Sequence, residues 1–172
     1  EFNCRHAAEG APALSGDVVE VKADSVAAIE RIAAAVPRYL QAYIEVPIGQ
    51  DPSPLIAAVG RAGARAKVRT GGITPDAFPS AQNLARFFRA CADVGVAFKA
   101  TAGLHHAMRG EYPLTYEKSF SMGEMFGFLN VAMAAALLWS GRPDSVVIRA
   151  LNERTADAFE FNNDGALWRN NW

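Results

Sequence analysis

The chain has 172 residues, 51% of them hydrophobic and 20% charged, a composition that is typical of one globular domain and excludes a disordered chain. Its 17 basic and 18 acidic residues give a formal net charge of −1, so the overall charge favours neither nucleic acid nor an anionic membrane as a partner. Two isolated cysteines, Cys4 and Cys91, fit a reducing compartment better than a disulfide framework, and we expect a cytoplasmic protein. The longest apolar run, residues 131–139, is too short to span a bilayer.

Residues 1–16 contain Pro12 and many small residues without periodicity, and we interpret them as a lead-in. The chain starts with Glu1-Phe2, the dipeptide that an in-frame EcoRI site encodes, and not with Met. We interpret residues 1–2 as a cloning scar. The accompanying hypothesis is that the chain is a piece of a longer protein.

Residues 17–106 alternate between strand patterns and helix patterns. The predicted strands are residues 17–23, 42–47, 64–70 and 96–102. Ser25, Ser53 and Ser80 mark the predicted helix starts, and Pro37 and Gly95 mark two of the ends. Parallel strands need crossovers of this kind. The fold class is therefore α/β, with four parallel βα units of (β/α)-barrel type that form a half-barrel or partial barrel.

Residues 107–172 have a different pattern and belong to the same single domain. We predict a loop at 107–119, an apolar helix at 121–140 and a second helix from Ser145 to about Glu153. Residues 159–168 are predicted to form a hairpin around Asp164-Gly165. This part is thus a helical C-terminal extension with a terminal β-hairpin.

The four strands place polar side chains on one common face and apolar side chains on the other, because strand residues alternate with period two. The polar set is Glu20, Lys22, Tyr43, Glu45, Lys67, Arg69, Lys99 and Thr101. In a barrel this face points inward, and its last members lie at the carboxyl ends of the strands, where such enzymes bind ligands. The alternative is a one-sided sheet whose polar face is solvated or ion-paired.

Lys99 and Glu45 are the leading catalytic candidates. Lys99 stands in an apolar strand, where desolvation favours a neutral amine that acts as a Schiff-base nucleophile or general base. Its alternative role is an ion pair with Glu20 or Glu45. Glu45 is nearer the end of its strand than Glu20 is, and it is the better placed for acid–base work.

His105 and His106 lie shortly after the carboxyl end of the fourth strand, at the mouth of the predicted barrel, and are further acid–base candidates. They lack the spaced partners of a zinc motif, so we predict no metal site. Asn130, inside the apolar helix, is interpreted as a hydrogen-bonded core amide in preference to a ligand contact.

The predicted anion site follows the third strand. Arg69 and Lys67 form a clamp for phosphate or carboxylate, and the backbone of Thr70, Gly71 and Gly72 can cradle an anion. The alternative for the two glycines is a plain exit from the strand. The remaining members of the polar face that we assign to this binding site are Glu20, Lys22 and Thr101.

Three segments carry a resemblance to a known family: KVRTGG at 67–72, FKATAGLHH at 98–106 and GFLN at 127–130. Over residues 17–168 the chain resembles a family of uncharacterised bacterial proteins of somewhat greater length, which implies no activity. In that family His precedes GFLN, whereas this chain has Phe126, which argues against a three-histidine metal site. Residues 99–103 are loosely similar to the Schiff-base strand of deoxyribose-phosphate aldolases. The succession of Glu- and Lys-bearing strands, followed by the turn Gly71-Gly72-Ile73, is similar to the strand pattern of quinolinate-type phosphoribosyltransferase barrels.

The leading hypothesis for function is a lyase or transferase of barrel type that binds a small phosphorylated or carboxylated metabolite and uses no cofactor. The alternative is a non-catalytic ligand-binding or oligomerisation module whose polar face is an ion-pair network. Four βα units leave two open sheet edges, so we also expect a homodimer.

Overall fold

The computed structural model describes residues 16–115 and 121–169. Its centre is a parallel sheet of four strands in the order β1-β2-β3-β4. The strands are β1 (Val18–Lys22), β2 (Gln41–Glu45), β3 (Arg65–Arg69) and β4 (Phe98–Thr101). Helices α1 (Val26–Ala35), α2 (Ser53–Arg61) and α3 (Ala81–Asp93) connect them, with a short 3₁₀ turn, Pro75–Ala77, before α3.

This arrangement confirms the predicted α/β class with helices between parallel strands. Strands β1 and β4 are the two edges of the sheet, which does not close into a barrel within the described residues. Two of the predicted helix starts show the expected capping: Ser25 Oγ accepts a hydrogen bond from Ala28 N at 3.3 Å, and Ser80 Oγ accepts one from Asn83 N at 3.1 Å.

The three helices pack on the apolar face of the sheet. Ile44, Ala66 and Val68 of the strands are at most 1% exposed and belong to one core with residues of all three helices. The rings of Phe88 and Phe98 stack at 4.9 Å between centroids and join α3 to β4. The apolar half of the predicted strand alternation is therefore the buried half.

The prediction for residues 107–140 was wrong in part. Part of the supposed loop and the first turns of the supposed helix pair as antiparallel strands, β5 (Gly110–Pro113) and β6 (Met122–Met125), while residues 116–120 lie outside the described residues. Helix α4 (Phe128–Trp139) begins only after Gly127. A Cβ at Gly127 would collide with the backbone of Ala107 and Met108, so the tight approach of that backbone fixes where the helix starts.

The rest of the extension follows the prediction more closely. Helix α5 (Asp144–Leu151) packs against α4 and α3. The terminal hairpin is confirmed as β7 (Phe159–Asn162) and β8 (Gly165–Trp168), with its turn one residue earlier than expected. In the described parts of the chain no helix has the length and hydropathy to cross a membrane.

Candidate functional site

The strand register places the predicted polar residues side by side. Glu20 is opposite Tyr43, Glu45 is opposite Lys67, and Lys67 is opposite Lys99. Arg65 lies opposite Tyr43 on the same face; the sequence analysis missed it, although its alternation with Lys67 was a usable signal. We call this surface the charged face: Glu20, Lys22, Tyr43, Glu45, Arg65, Lys67, Arg69, Lys99 and Thr101.

An ion-pair network occupies the middle of the charged face. Lys67 Nζ lies 2.7 Å from Glu45 Oε2 and 3.0 Å from Glu20 Oε2, between the two carboxylates. Lys22 Nζ lies 3.2 Å from the other oxygen of Glu45. Lys67 and Glu45 are nearly buried, whereas the side chain of Lys22 is 73% exposed. The centre of the network is therefore fixed and its β1 side is open to solvent.

The network sets the charge of its central pair. Burial raises the pKa of Glu45, but hydrogen bonds from Lys67 and Lys22 outweigh burial and leave that pKa below its ordinary value. The hydrogen bond to Glu45 is the main reason that the pKa of Lys67 is raised. Glu45 is thus a carboxylate and Lys67 an ammonium at neutral pH.

Lys99 lies on the edge strand β4 and donates a hydrogen bond to Glu20 on the opposite edge strand, β1. Its Nζ also lies 4.1 Å from the centroid of the Tyr43 ring. Both contacts stabilise a positive charge, so the ion pair foreseen as an alternative is present. In a flat sheet the two edges would be about 14 Å apart. The long side chains of Lys99 and Glu20 nevertheless meet above β2 and β3 and link the two edges of the sheet.

A pocket of about 650 Å³ lies at the carboxyl ends of β1, β2 and β3. Of the predicted site residues, it brings together Lys22, Glu45 and Arg69. The other predicted residues do not line it: Glu20, Lys67, Thr70, Gly71, Gly72, Lys99, Thr101, His105 and His106.

Sequence analysis did not assign four polar residues of this pocket, namely Asp24, Asp76, Ser80 and Asn83. All four follow a strand end or open a helix, which is the available signal for them. The N-terminal turn of α3 meets the pocket at Ser80 and Asn83, and the first amides of a helix have no acceptor within the helix. Within this turn the amide of Asn83 already donates to Ser80 Oγ, and Ala81 and Gln82, whose amides have no acceptor in the helix, do not line the pocket.

The Thr70-Gly71-Gly72 segment is packed against the loop after β4. Thr70 is fully buried, and its Oγ1 donates to the backbone oxygen of Ala102. A Cβ at Gly71 would lie 2.9 Å from Gly103 Cα and still closer to the Phe78 ring, so only glycine fits between them. Close packing accounts for Gly71, and the proposed anion cradle stays a prediction.

The two histidines have different surroundings. His105 is exposed, and the ring of His106 stacks on Tyr112 with 3.5 Å between centroids. In residues 16–115 and 121–169, no group of three or more His, Cys, Asp or Glu residues could hold a metal ion. The acid–base roles of His105 and His106 remain predictions.

Asn130 is confirmed as a core amide. Its Nδ2 donates to the backbone oxygens of Ala150 and Glu153, each at 2.8 Å, and its Oδ1 accepts from Arg109 N at 2.8 Å. Its amide oxygen and nitrogen are thus both hydrogen-bonded inside the protein, which leaves Asn130 no role at the pocket.

Glu153 is a buried carboxylate that the sequence analysis did not single out. It accepts hydrogen bonds from the amides of Arg154 and Thr155, from Trp168 Nε1 and from Arg169 Nε. Mainly through Arg169, these donors lower the pKa of Glu153 to about 2. Trp168 in β8 and Arg169 just after it are brought next to Glu153 only by the terminal hairpin, so no local sequence pattern predicts these contacts.

The geometry defines what the pocket can do: Arg69 can bind an anion, Ser80 and Asn83 can contact it, and the Glu45 carboxylate can accept a hydrogen bond or a proton. Comparison of the chain with protein-family models, curated proteins and solved structures gave no match.

Proposed function

We propose that the chain binds a small phosphorylated or carboxylated metabolite in the pocket at the carboxyl ends of β1, β2 and β3. One observation carries the proposal: Arg69 lines this pocket and has no ion-pair or hydrogen-bond partner in the part of the chain that the structure describes. Lys22, Lys67 and Lys99 are each bound to a carboxylate. An unpaired guanidinium at a strand end is a suitable partner for phosphate or carboxylate.

The first turn of α3 supports the same site. Ser80 and Asn83 of this turn line the pocket, and Ser80 caps the helix by accepting from the amide of Asn83. The partial positive charge of a helix N-terminus favours an anion, and Arg69 supplies a full charge beside it. Anion binding therefore rests on Arg69, with the N-terminus of α3 adding a favourable partial charge.

The proposal extends to catalysis of the acid–base type, with Glu45 as the proton acceptor. Glu45 lies in the pocket wall and is ionised at neutral pH, so it can accept a proton, but Lys67 and Lys22 lower its pKa and release of Lys22 to a ligand would make it a stronger base. A Schiff base at Lys99 has less support, because Lys99 does not line this pocket and is bound to Glu20. We therefore favour proton transfer over imine formation.

A second candidate function is assembly, supported by the open side of the sheet. The side chains of Glu20 and Lys22 are 44% and 73% exposed, so no second layer covers the charged face in the described residues. Parallel sheets usually have both faces covered, and open edges invite pairing. In this proposal the sheet is a half-barrel that a second copy completes through edges β1 and β4. Light scattering that reports a monomer at high micromolar concentration would contradict it.

Thermal unfolding in phosphate, sulfate or succinate tests the anion site. A ligand at about 100 times its dissociation constant adds roughly 2.7 kcal/mol to the free energy of unfolding and raises Tm. Arg69→Ala should abolish the shift. Arg65→Ala is the matched control, since Arg65 lies on the same strand and face but outside this pocket and donates to Tyr43 Oη.

Equal shifts in Arg69→Ala and Arg65→Ala would show that the anions act elsewhere on the surface. Absence of any shift in the unmodified protein would overturn the anion site itself. Circular dichroism of both variants establishes that the fold is intact, which is expected because both arginines are exposed.

A further inference from the structure

We propose that Lys22 is a second cation of the anion site, which leaves Glu45 to bind the anionic group of the ligand together with Arg69. The proposal rests on the proposed function and names the substrate class of the same site, a ligand with a phosphate group in preference to a carboxylate. The ion-pair network of the charged face carries it, because this network contains one lysine more than its carboxylates require.

The network consists of three lysines and two carboxylates: Lys22, Lys67, Lys99, Glu20 and Glu45. Lys67 lies 2.7 Å from Glu45 and compensates it. Lys99 donates to Glu20 and compensates that carboxylate. The contact between Lys22 and Glu45, at 3.2 Å, is the longest ion pair of the network. One lysine can therefore leave the network while each carboxylate keeps a cation.

Exposure and position identify the surplus lysine as Lys22. Its side chain is 73% exposed, whereas those of Lys67 and Lys99 are 12% and 30% exposed. Lys22 also lines the pocket, and Lys67 and Lys99 do not. An exposed ion pair contributes little to stability, so Lys22 can exchange its partner at small cost. It is thus the one lysine of this network that is both free to move and placed at the cavity.

The side chains of Lys22 and Arg69 can reach the same anion. The two residues are two strand spacings and two residues apart on the charged face, about 12 Å between their Cα atoms. Glu20 and Lys99 meet across a longer diagonal of this face, three strand spacings and two residues. A phosphate group that lies over β2 is therefore within reach of both cations.

The remaining charges of the pocket explain why a second cation is needed. Asp24 and Asp76 line the pocket together with Arg69, whereas Lys67 lies outside it and is bound within the network. With Arg69 alone, two carboxylates oppose one cation, and an anion is repelled. Release of Lys22 supplies a second positive charge, and two cations attract a dianion more strongly than a monoanion. A phosphate monoester, with a charge of about −1.5 to −2 at pH 7, meets this requirement.

Lys22 has an alternative role as a surface ion pair that only screens the charge of Glu45. In that role, its removal affects anion binding no more than removal of any other cation of the charged face. The affinity for anions, compared with that of a variant that lacks such a cation, therefore separates the two explanations.

The experiment measures by calorimetry the affinities of methyl phosphate, sulfate and acetate at neutral pH. We expect the unmodified protein to bind methyl phosphate roughly tenfold more tightly than acetate. Lys22→Met should weaken the binding of methyl phosphate and sulfate by about fivefold or more, and Lys22→Arg should retain most of the affinity. Arg65→Ala, which removes a cation of the same face outside the pocket, should change these affinities by less than about twofold. Circular dichroism establishes that each variant is folded.

A double-mutant cycle tests the exchange of partners. Glu45→Gln removes the carboxylate that competes with the ligand for Lys22, so it should tighten the binding of sulfate. In the Lys22→Met background the same change should tighten it less, because no lysine is released. Equal effects of Glu45→Gln in the two backgrounds would overturn the exchange.

The outcomes separate this inference from the proposed function. Equal weakening by Lys22→Met and Arg65→Ala, or equal affinities for methyl phosphate and acetate, overturns the role of Lys22 and the preference for phosphate. The anion site itself stands in that case, provided that Arg69→Ala abolishes binding. Failure of methyl phosphate, sulfate and acetate to bind the unmodified protein overturns the proposed function.

Discussion

Glu45 and Glu153 are both buried carboxylates, but the two halves of the molecule hold them differently. Glu45, on the charged face, is bound by the side chains of Lys67 and Lys22, and Lys22 is 73% exposed. Glu153, in the C-terminal extension, is bound by two backbone amides, the buried indole of Trp168 and Arg169. Lys22 can exchange Glu45 for a ligand, and Arg169, which is 56% exposed, can likewise leave Glu153. The two backbone amides and the indole would still hold Glu153, whereas Glu45 would keep only Lys67.

The difference separates a site from a structural cluster. We call Asn130, Glu153, Trp168 and Arg169 the C-terminal clasp, because Asn130 also donates to the backbone oxygen of Glu153. The clasp joins α4, α5 and β8 and does not line the pocket at the carboxyl ends of β1, β2 and β3; Glu153, Trp168 and Arg169 line a smaller cavity of about 370 Å³. Buried polar groups with complete hydrogen bonding specify a fold, and those with exchangeable partners beside a cavity are suited to binding.

The largest effect is expected from Asn130→Ala. The change leaves the amide of Arg109 and the oxygen of Glu153 without their present partner, whereas the oxygen of Ala150 keeps a hydrogen bond from the amide of Glu153 at 3.3 Å. Unsatisfied buried groups cost about 1–3 kcal/mol each, so we expect a loss of roughly 3–4 kcal/mol in the free energy of unfolding. Urea denaturation measures it.

Asn152→Ala is the matched control for this change. Asn152 is exposed and makes one hydrogen bond, from Nδ2 to the oxygen of Ile148 at 2.9 Å. Its loss should change the free energy of unfolding by no more than about 0.5 kcal/mol. Similar losses in the free energy of unfolding for the two variants would show that the buried hydrogen bonds of Asn130 stabilise the protein no more than one exposed hydrogen bond does.

Acidification is the second test of the clasp. The pKa of Glu153 is lowered from its ordinary value of 4.5 to about 2, so folding is favoured by the ionised form. The stabilisation is complete above the unfolded-state pKa and is lost as the pH falls from about 4.5 toward 2. Its full size is roughly 3 kcal/mol.

The pH dependence is measured as the urea midpoint between pH 6 and pH 2. Glu153→Gln should remove much of the slope, and Glu160→Gln, an exposed position on β7, should keep it. A slope unchanged by Glu153→Gln would assign the acid sensitivity to other carboxylates, such as Glu20 and Glu45, whose pKa values are also lowered.

The contrast between the halves also explains how much the sequence could predict. In residues 17–106 each element has its own local signal: alternation for the strands, and Ser25, Ser80 and Gly95 for helix ends. Parallel pairing then aligns the strands, and the charged face follows from period two alone. That region was predicted well because its rules are local and repeated.

Two features of the molecule had no local signal. The Met122–Met125 strand has only four residues, too few for alternation to compete with the helix-forming Met and Glu it contains. Asp24 and Asp76 line the pocket and Lys99 does not. This distribution depends on the paths of the loops and the directions of the side chains, which no local pattern gives. Sequence indicated the end of the sheet at which this pocket lies but could not rank the charged residues there.

A smaller effect on stability is expected for Glu45→Gln. Lys67 keeps its contact with Glu20 at 3.0 Å, and Lys22 is already exposed, so the loss should be about 1 kcal/mol. The same change should alter ligand affinity, because Glu45 lines the pocket. If Glu45→Gln lowered the free energy of unfolding as much as Asn130→Ala and left ligand affinity unchanged, Glu45 would have a structural role. The contrast between Glu45 and Glu153 would then be wrong.

The smallest effect is expected for the reactivity of Lys99. Its Nζ donates to Glu20 and lies against the Tyr43 ring, while the side chain of Lys22 is 73% exposed. With glycolaldehyde and borohydride, followed by peptide mass analysis, labelling of Lys99 should therefore not exceed that of Lys22. Glu20→Gln should raise the labelling of Lys99, since it removes the carboxylate bound to its ammonium. Selective labelling of Lys99 in the unmodified protein would place the chemistry at the centre of the charged face, favour imine formation over proton transfer, and move the active site away from the Arg69 pocket.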